Sequence, residues 1–187
     1  AHLPGLSVIY PSSPYEAKGL MLSSIFSNFP TIFFESRALH SMKEDVPSKV
    51  YFLDPTKAFI RSRGKDLTIV SFGPSVKNAI EVSHMLKSQK KISVEIIDLR
   101  SINPIDEKTI INSVKKTKNL CLIEHGWPTA SISSEIISKV SEKVKLDKKP
   151  IKFCWPNSYT PTTHALEKKY YFSNQDIVNK LIRCLGK

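Results

Sequence analysis

Three short stretches place reactive side chains where a strand could hand over to a loop. In "EHGWPTAS", Glu124, His125 and Trp127 set an acid, a possible base and a large aromatic side by side, with Gly126 and Pro128 shaping the turn. No nucleophile accompanies them, so the group reads as a packing or interface loop rather than a catalytic one. In "FGPSV", Gly73, Pro74 and Ser75 precede an apolar-periodic run, where free amides could receive an anion. The plainer expectation is that Ser75 caps the helix. In "DLRSINPID", Asp98 and Arg100 flank a turn bounded by Pro104, and an internal salt link is expected of them rather than catalysis.

Other chemistries find no support. There is no glycine-rich phosphate fingerprint after a strand, no histidine pair at helical metal spacing and no Gly-x-Ser-x-Gly elbow. His2, His40, His84 and His164 stand singly, and a histidine without partners defines no site. Cys121, Cys154 and Cys184 are widely separated in apolar segments, as expected of buried thiols in a reducing compartment. A cytoplasmic protein, or one of an organelle matrix, is expected.

The chain has 187 residues, 41% of them hydrophobic, and a formal net charge of +11. That charge suits acidic partners, but the lysine runs lack the aromatic interleaving of a single-strand binding platform, so nucleic acid is not the expected partner. The apolar runs are far shorter than the ~20 residues of a membrane-spanning helix.

The elements that must position these loops follow a strand-then-helix rhythm. Strand Gly5–Tyr10, helix Pro14–Phe26 with Ser13 as its cap, and strand Thr31–Glu35 make one βαβ unit. Residues 36–63 carry prolines and mixed charge and read as a linker with one short strand near Ala58–Arg61. Strands at Leu67–Phe72, Ser93–Leu99, Asn119–Glu124 and Ile151–Cys154 then alternate with helices at Val76–Ser88, Asp106–Lys116, Ile132–Val144 and Asn174–Leu185. That alternation predicts a three-layer α/β/α sandwich around a mostly parallel sheet, whose ligands or partners meet the carboxyl ends of the strands.

The ordered succession of Pro-Gly-Leu (4–6), Pro-Ser-x-Pro-Tyr-x-Ala-Lys-Gly-Leu (11–20), Asp-Leu-Arg-x-Ile-x-Pro-x-Asp (98–106) and Gly-Trp-Pro (126–128) resembles the beta subunits of thiamine-diphosphate-dependent 2-oxo-acid dehydrogenases. The resemblance covers nearly the whole chain. It implies a C-terminal remnant of a pyrimidine-binding α/β domain over residues 1–46, a linker and entry strand over 47–66, and a transketolase C-terminal domain over 67–187. It further implies an assembly role in an enzyme that decarboxylates a 2-oxo acid and transfers the acyl group to lipoyl-lysine. The partners so implied are an alpha subunit, a second beta subunit and the subunit-binding domain of an acyltransferase core. Glu124, His125, Gly126, Trp127 and Pro128 are the interface candidates, and Gly73 and Ser75 the anion-site candidates.

Thiamine diphosphate and magnesium are implied for the parent enzyme, with none expected on this chain alone. The family's cofactor-activating glutamate, aromatic support and active-site histidine lie upstream of the segment matched by His2–Gly5, so no catalytic, cofactor-binding or metal residue carries over. Departures from the pattern are visible. Ser27 stands where relatives with a structural potassium ion carry an acid in the segment matching Ser24–Phe29, "TASISS" lacks a glycine-rich turn, and Asn157 stands at an acid position. A stand-alone interaction or anion-sensing module, or part of another transketolase-like thiamine enzyme, is the alternative.

Overall fold

The computed structural model describes residues 1–186. It contains two sheets, and the larger has the strand order β3-β5-β4-β7-β8. Its members are β3 (Phe59–Ser62), β4 (Leu67–Ser71), β5 (Val94–Asp98), β7 (Leu120–Ile123) and β8 (Ile151–Phe153). All pair in parallel except β3, which runs antiparallel to β5 at the edge.

Side-chain alternation along the central strand builds the layers. Leu67 and Ile69 face a core with Ala79, Val82 and Leu86 of α2 (Ser75–Lys90) and with Ile177, Val178 and Leu181 of α6 (Asn174–Leu185). Val70 faces the opposite core with Ile110 and Val114 of α3 (Glu107–Thr117) and Ile136 and Val140 of α4 (Ile132–Lys143). The period of two along a strand sends successive residues to opposite faces, so β4 must be apolar on both. Its one polar interior residue on the α3 side, Thr68, is bonded to the hydroxyls of Ser113 and Thr117 at 2.7 Å each. This is the expected three-layer sandwich.

The smaller sheet, β2-β1-β6, joins the βαβ unit to the sandwich. Strand β1 (Ser7–Ile9) pairs in parallel with β2 (Thr31–Phe33) across helix α1 (Pro14–Ile25), and antiparallel with β6 (Ser101–Asn103). Strand β6 had been expected to be loop. It is three residues long, bounded by Arg100 with φ of 61° and by Pro104, so its local signals are those of a turn. Helix α5 (His164–Tyr170) is a second element absent from the expectation, because "HALEKKY" follows a proline-rich stretch and carries no apolar stripe.

One further expectation is corrected. Ser75 does not cap α2: Pro74 occupies the cap position without a side-chain hydrogen bond, and Ser75 is the first helical residue. The stretch before β3 lies as a strap over α1. Lys18 donates its ammonium to the carbonyls of Pro47, Ser48 and Lys49, Tyr51 donates to the Tyr15 carbonyl at 2.7 Å, and the Tyr15 and Tyr51 rings stack at 4.6 Å. Gly19 makes the crossing possible, since a Cβ there would lie 2.6 Å from both Leu53 Cγ and Tyr51 Cε2.

Candidate functional site

The "EHGWP" loop leaves the carboxyl end of β7, where sheet geometry places ligands and partners. Glu124 turns inward and accepts the Ser133 amide at 2.9 Å in the first turn of α4. Its charge sits at the positive end of that helix and serves the fold. Gly126 accepts the Trp155 amide at 2.8 Å, tying the loop to the chain leaving β8.

His125 lies within 3.0 Å of Asn78 Oδ1 through Nε2. Asn78 donates its own amide to Asn174 at 2.8 Å, which leaves the oxygen as acceptor and puts the imidazole proton on Nε2. Burial holds the ring below its ordinary pKa, so His125 is a neutral packing group. Trp127 is 49% exposed, and its indole donates to the Ser158 carbonyl at 3.1 Å and to the Tyr170 hydroxyl at 3.0 Å. Pro128 contributes its carbonyl to Lys152 at 3.0 Å.

These residues meet an aromatic cluster that the sequence reading did not assemble. Trp155 stacks on His125 at 5.8 Å, meets Trp127 edge-on at 6.0 Å and Tyr171 at 5.4 Å, while Phe172 packs on the other side of His125 at 6.0 Å. A signal was present: both tryptophans of the chain occur as Trp-Pro just past a strand, at 127–128 and 155–156. The cluster is hydrogen-bonded at His125, Trp127 and Tyr170 and open to solvent at Trp127, and it presents no acid–base pair.

The anion-site candidates are differently engaged. Ser75 is buried, and its hydroxyl donates to the Phe72 carbonyl at 2.7 Å and lies 2.7 Å from Ser71 Oγ. Gly73 sits under Tyr10, whose ring would lie 2.8 Å from a Cβ at that position. In the Ser24–Phe29 segment, Ser24 donates to the Leu20 carbonyl at 2.7 Å and Ser27 Oγ accepts the Phe29 amide at 3.1 Å. Among the described residues no cluster of three or more His, Cys, Asp or Glu side chains is placed to hold a metal.

The densest electrostatics lie elsewhere, at the seam between the two sheets. Asp98, at the end of β5, is fully buried and accepts Nε and Nη2 of Arg61 at 3.1 and 2.9 Å. Arg61 also reaches Glu16 of α1 at 2.8 Å, and Arg100 donates to the same carboxylate at 2.9 Å. The expected Asp98–Arg100 link survives only through the Arg100 amide, at 3.2 Å. Ser12 bridges the two acids, 2.5 Å from Asp98 and 3.1 Å from Glu16. Phe59 lids the cluster, with both guanidinium groups within 5 Å of its ring centre, at 4.9 and 4.7 Å.

Burial works against the charge of both acids, with different outcomes. For Glu16 the two guanidiniums outweigh burial and hold its carboxyl below the ordinary value. For Asp98, burial and the neighbouring Glu16 charge outweigh Arg61 and push it up to about 7. The cluster balances two acids with two bases and fastens α1 to the sandwich. Of its groups only Arg61 borders one of the larger open hollows among the described residues, a depression of about 500 Å³.

Residues 56–177 match the family described as "Transketolase, C-terminal domain". Over 98% of its length the chain is 37% identical to the acetoin:2,6-dichlorophenolindophenol oxidoreductase subunit beta of Bacillus subtilis strain 168, covering 54% of that protein. It is 36% identical over 99% of its length to the pyruvate dehydrogenase E1 component subunit beta of Acholeplasma laidlawii, covering 57% of it. The chain therefore spans about half the length of the curated relatives it matches. Among solved structures, a "split gene transketolase, inactive beta4 tetramer" superposes with a TM-score of 0.82 at 23% identity, over 99% of this chain and 59% of that one. A Pichia stipitis transketolase superposes at 0.68 with 15% identity over 99% of this chain and 26% of that one. These two likenesses establish the fold.

Proposed function

The chain belongs to the transketolase C-terminal domain family, and from that premise we propose that it is the C-terminal portion of the beta subunit of a thiamine-dependent 2-oxo-acid dehydrogenase, serving subunit assembly. The observation that carries this reading is the extent of the identity. It runs over 186 residues, well beyond residues 56–177, and so takes in the βαβ unit as well as the sandwich. The parent enzyme decarboxylates a 2-oxo acid and passes the acyl group to lipoyl-lysine. The domain boundaries are assigned at 1–46, 47–66 and 67–187, with the cytoplasm or an organelle matrix as the compartment.

The surface supports assembly. Ile25, Phe26 and Phe29 at the end of α1 are 66–72% exposed, and Ile32, Phe34, Val50 and Phe52 are exposed nearby. Phe26 and Phe52 meet edge-on at 5.6 Å, and exposed apolar side chains gathered in this way mark an interaction face. An alpha subunit and a second beta subunit are its assigned partners, with the acyltransferase core's subunit-binding domain as a further one. The "EHGWP" loop supplies the aromatic contact.

The residues present do not fit a thiamine-activating role. The buried carboxylates Glu16, Glu95, Asp98, Asp106 and Glu124 are each already bonded within the fold. The cofactor and magnesium are assigned to groups outside residues 1–187, and this chain's part is to hold the scaffold. The first relative named above is an acetoin enzyme subunit, which makes acetoin the second candidate substrate.

The test is purification of the native protein at its natural abundance, identification of co-purifying chains, and assay of dye reduction with pyruvate, branched-chain 2-oxo acids and acetoin. Co-purification with a thiamine-enzyme alpha subunit and activity on a 2-oxo acid is expected. Activity on acetoin alone moves the chain to the second reading. Absence of any such subunit and of thiamine-dependent activity overturns both.

A further inference from the structure

We propose that the hollow between edge strand β3 and helix α2 is a docking groove for an acidic segment of a partner protein that carries aliphatic side chains. The fold creates the hollow directly. Helix α2 packs over β4, β5 and β7, while β3 is the outermost strand and among the described residues has no comparable packing against a helix. What remains is an open depression of about 500 Å³ along Ser62, the second half of α2 and the start of β5.

Its floor is aliphatic. Ile92, Val94 and Ile96, themselves closed to solvent, belong to the core between the sheet and α2, and the half-buried Ile80 packed against it is the aliphatic side chain that the hollow leaves accessible. The rim is basic, formed by Arg63, His84, Lys87 and Lys91, which are exposed, and no acidic side chain lines the depression. Arg61 also lines it but is committed to Glu16 and Asp98. No carboxylate lies within ion-pair distance of the four rim residues among the described residues. Elsewhere on the surface Lys116, Lys139 and Lys143 have found acidic partners.

Charge complementarity selects the occupant. A second copy of this chain carries the same +11 and meets like charge at the rim. A nucleic acid would find no Phe, Tyr or Trp in the lining on which its bases could stack. An acidic segment with aliphatic side chains satisfies both parts: its apolar groups bury against the floor for affinity, and its carboxylates meet the rim for rate and selectivity. At about 3.3 Å per residue, the edge formed by Arg61, Ser62 and Arg63 matches about three residues of an extended partner.

The experiment uses the full-length native protein and a fluorescein-labelled octapeptide of alternating Glu and Leu, read by fluorescence anisotropy. Controls are an octapeptide of Glu alone, one of alternating Lys and Leu, and an oligothymidylate. The Glu-Leu peptide should bind at least about tenfold tighter than each of these. Lys87→Gln with Lys91→Gln should weaken it by at least about tenfold, and Lys168→Gln with Lys169→Gln, an equal loss of charge on α5, by less than about twofold. Ile80→Ser gives the apolar arm, with an expected loss of about tenfold. Equal weakening by the two lysine pairs would reduce the effect to diffuse charge and overturn the proposal. So would tighter binding of the oligothymidylate, or no binding of the Glu-Leu peptide.

Discussion

Replacing Asp98 by Asn should change how stability depends on pH more than it changes stability itself. Asp98 is fully buried, and burial together with Glu16 raises its carboxyl from the ordinary 3.8 to about 7 in the folded chain. The folded state then holds a proton that the unfolded chain has lost, so stability falls as pH rises across that interval. The contribution is full below 3.8 and lost as pH passes about 7. A carboxyl moved over that range carries roughly 4 kcal/mol at the upper bound, released at no more than about 1.4 kcal/mol per pH unit. Asn keeps the shape but does not titrate; with its oxygen at the place of Oδ2 it still accepts from Ser12 and Arg61, while its amide nitrogen faces the Arg100 N–H.

The assay is urea unfolding of both proteins at half-unit steps from pH 4 to pH 8. The variant should gain on the native chain steadily between pH 4 and pH 7, then run parallel to it. Glu16→Gln provides the opposite sign, because its pKa is lowered: its stabilisation is present above the ordinary 4.5 and lost as pH falls. Removing it leaves Arg100 without its carboxylate, at a cost of about 3 kcal/mol near neutrality that shrinks in acid. Curves for native and Asp98→Asn that stay parallel from pH 4 to pH 7 would refute the protonation argument.

Gly19→Ala should destabilise by about 1–3 kcal/mol in thermal or urea unfolding, since the new methyl meets Leu53 and Tyr51 at 2.6 Å and must push the strap off α1; an unchanged midpoint would show that the strap yields freely. Trp127→Ala should weaken association more than loss of any one exposed lysine, as measured by sedimentation equilibrium, because its indole is half exposed and anchored at both Ser158 and Tyr170. Equal effects would confine Trp127 to packing. Calorimetry of the polypeptide 1–187 with thiamine diphosphate and magnesium should give no micromolar binding, given that its buried carboxylates are already bonded internally, and a tight isotherm would place cofactor-binding groups in this half.

Elements with strong local signatures were legible. "LTIVS" and "LCLI" are apolar on both faces and flanked by turn residues, which leaves few alternatives to central strands. What escaped notice depends on pairing at a distance. Strand β6 is three residues of ordinary loop composition, and only its partner β1, some 93 positions away, makes it a strand. The charge cluster was hidden for the same reason: Arg100 and Glu16 are 84 positions apart and Arg61 and Asp98 are 37 apart, so the nearest charge in sequence was taken as the partner. The aromatic cluster is half visible in the sequence, where Trp127 sits in a motif and Trp155 follows a strand of only three residues. Ser75 was misread because Ser before an apolar run is the usual cap signal, yet Pro74 already holds the helix entry and frees the hydroxyl for Phe72.

The nine residues "DLRSINPID" join the two sheets at several points. Asp98 anchors Arg61 of β3, and Arg100 anchors Glu16 of α1. Ser101–Asn103 forms β6 against β1, with Ser101 donating to the Val8 carbonyl at 3.1 Å and Asn103 to that of Leu6 at 2.8 Å. Asp106 then caps α3 through the Thr109 amide at 3.1 Å and reaches back to the Ala58 amide at 3.1 Å. The strand β3 is thus held at Ala58 and at Arg61 by the two ends of one loop. That double hold fixes a short antiparallel strand at the edge of a parallel sheet, where it would otherwise have a single neighbour to define it. Displacing this loop would release the βαβ unit and strand β3 together.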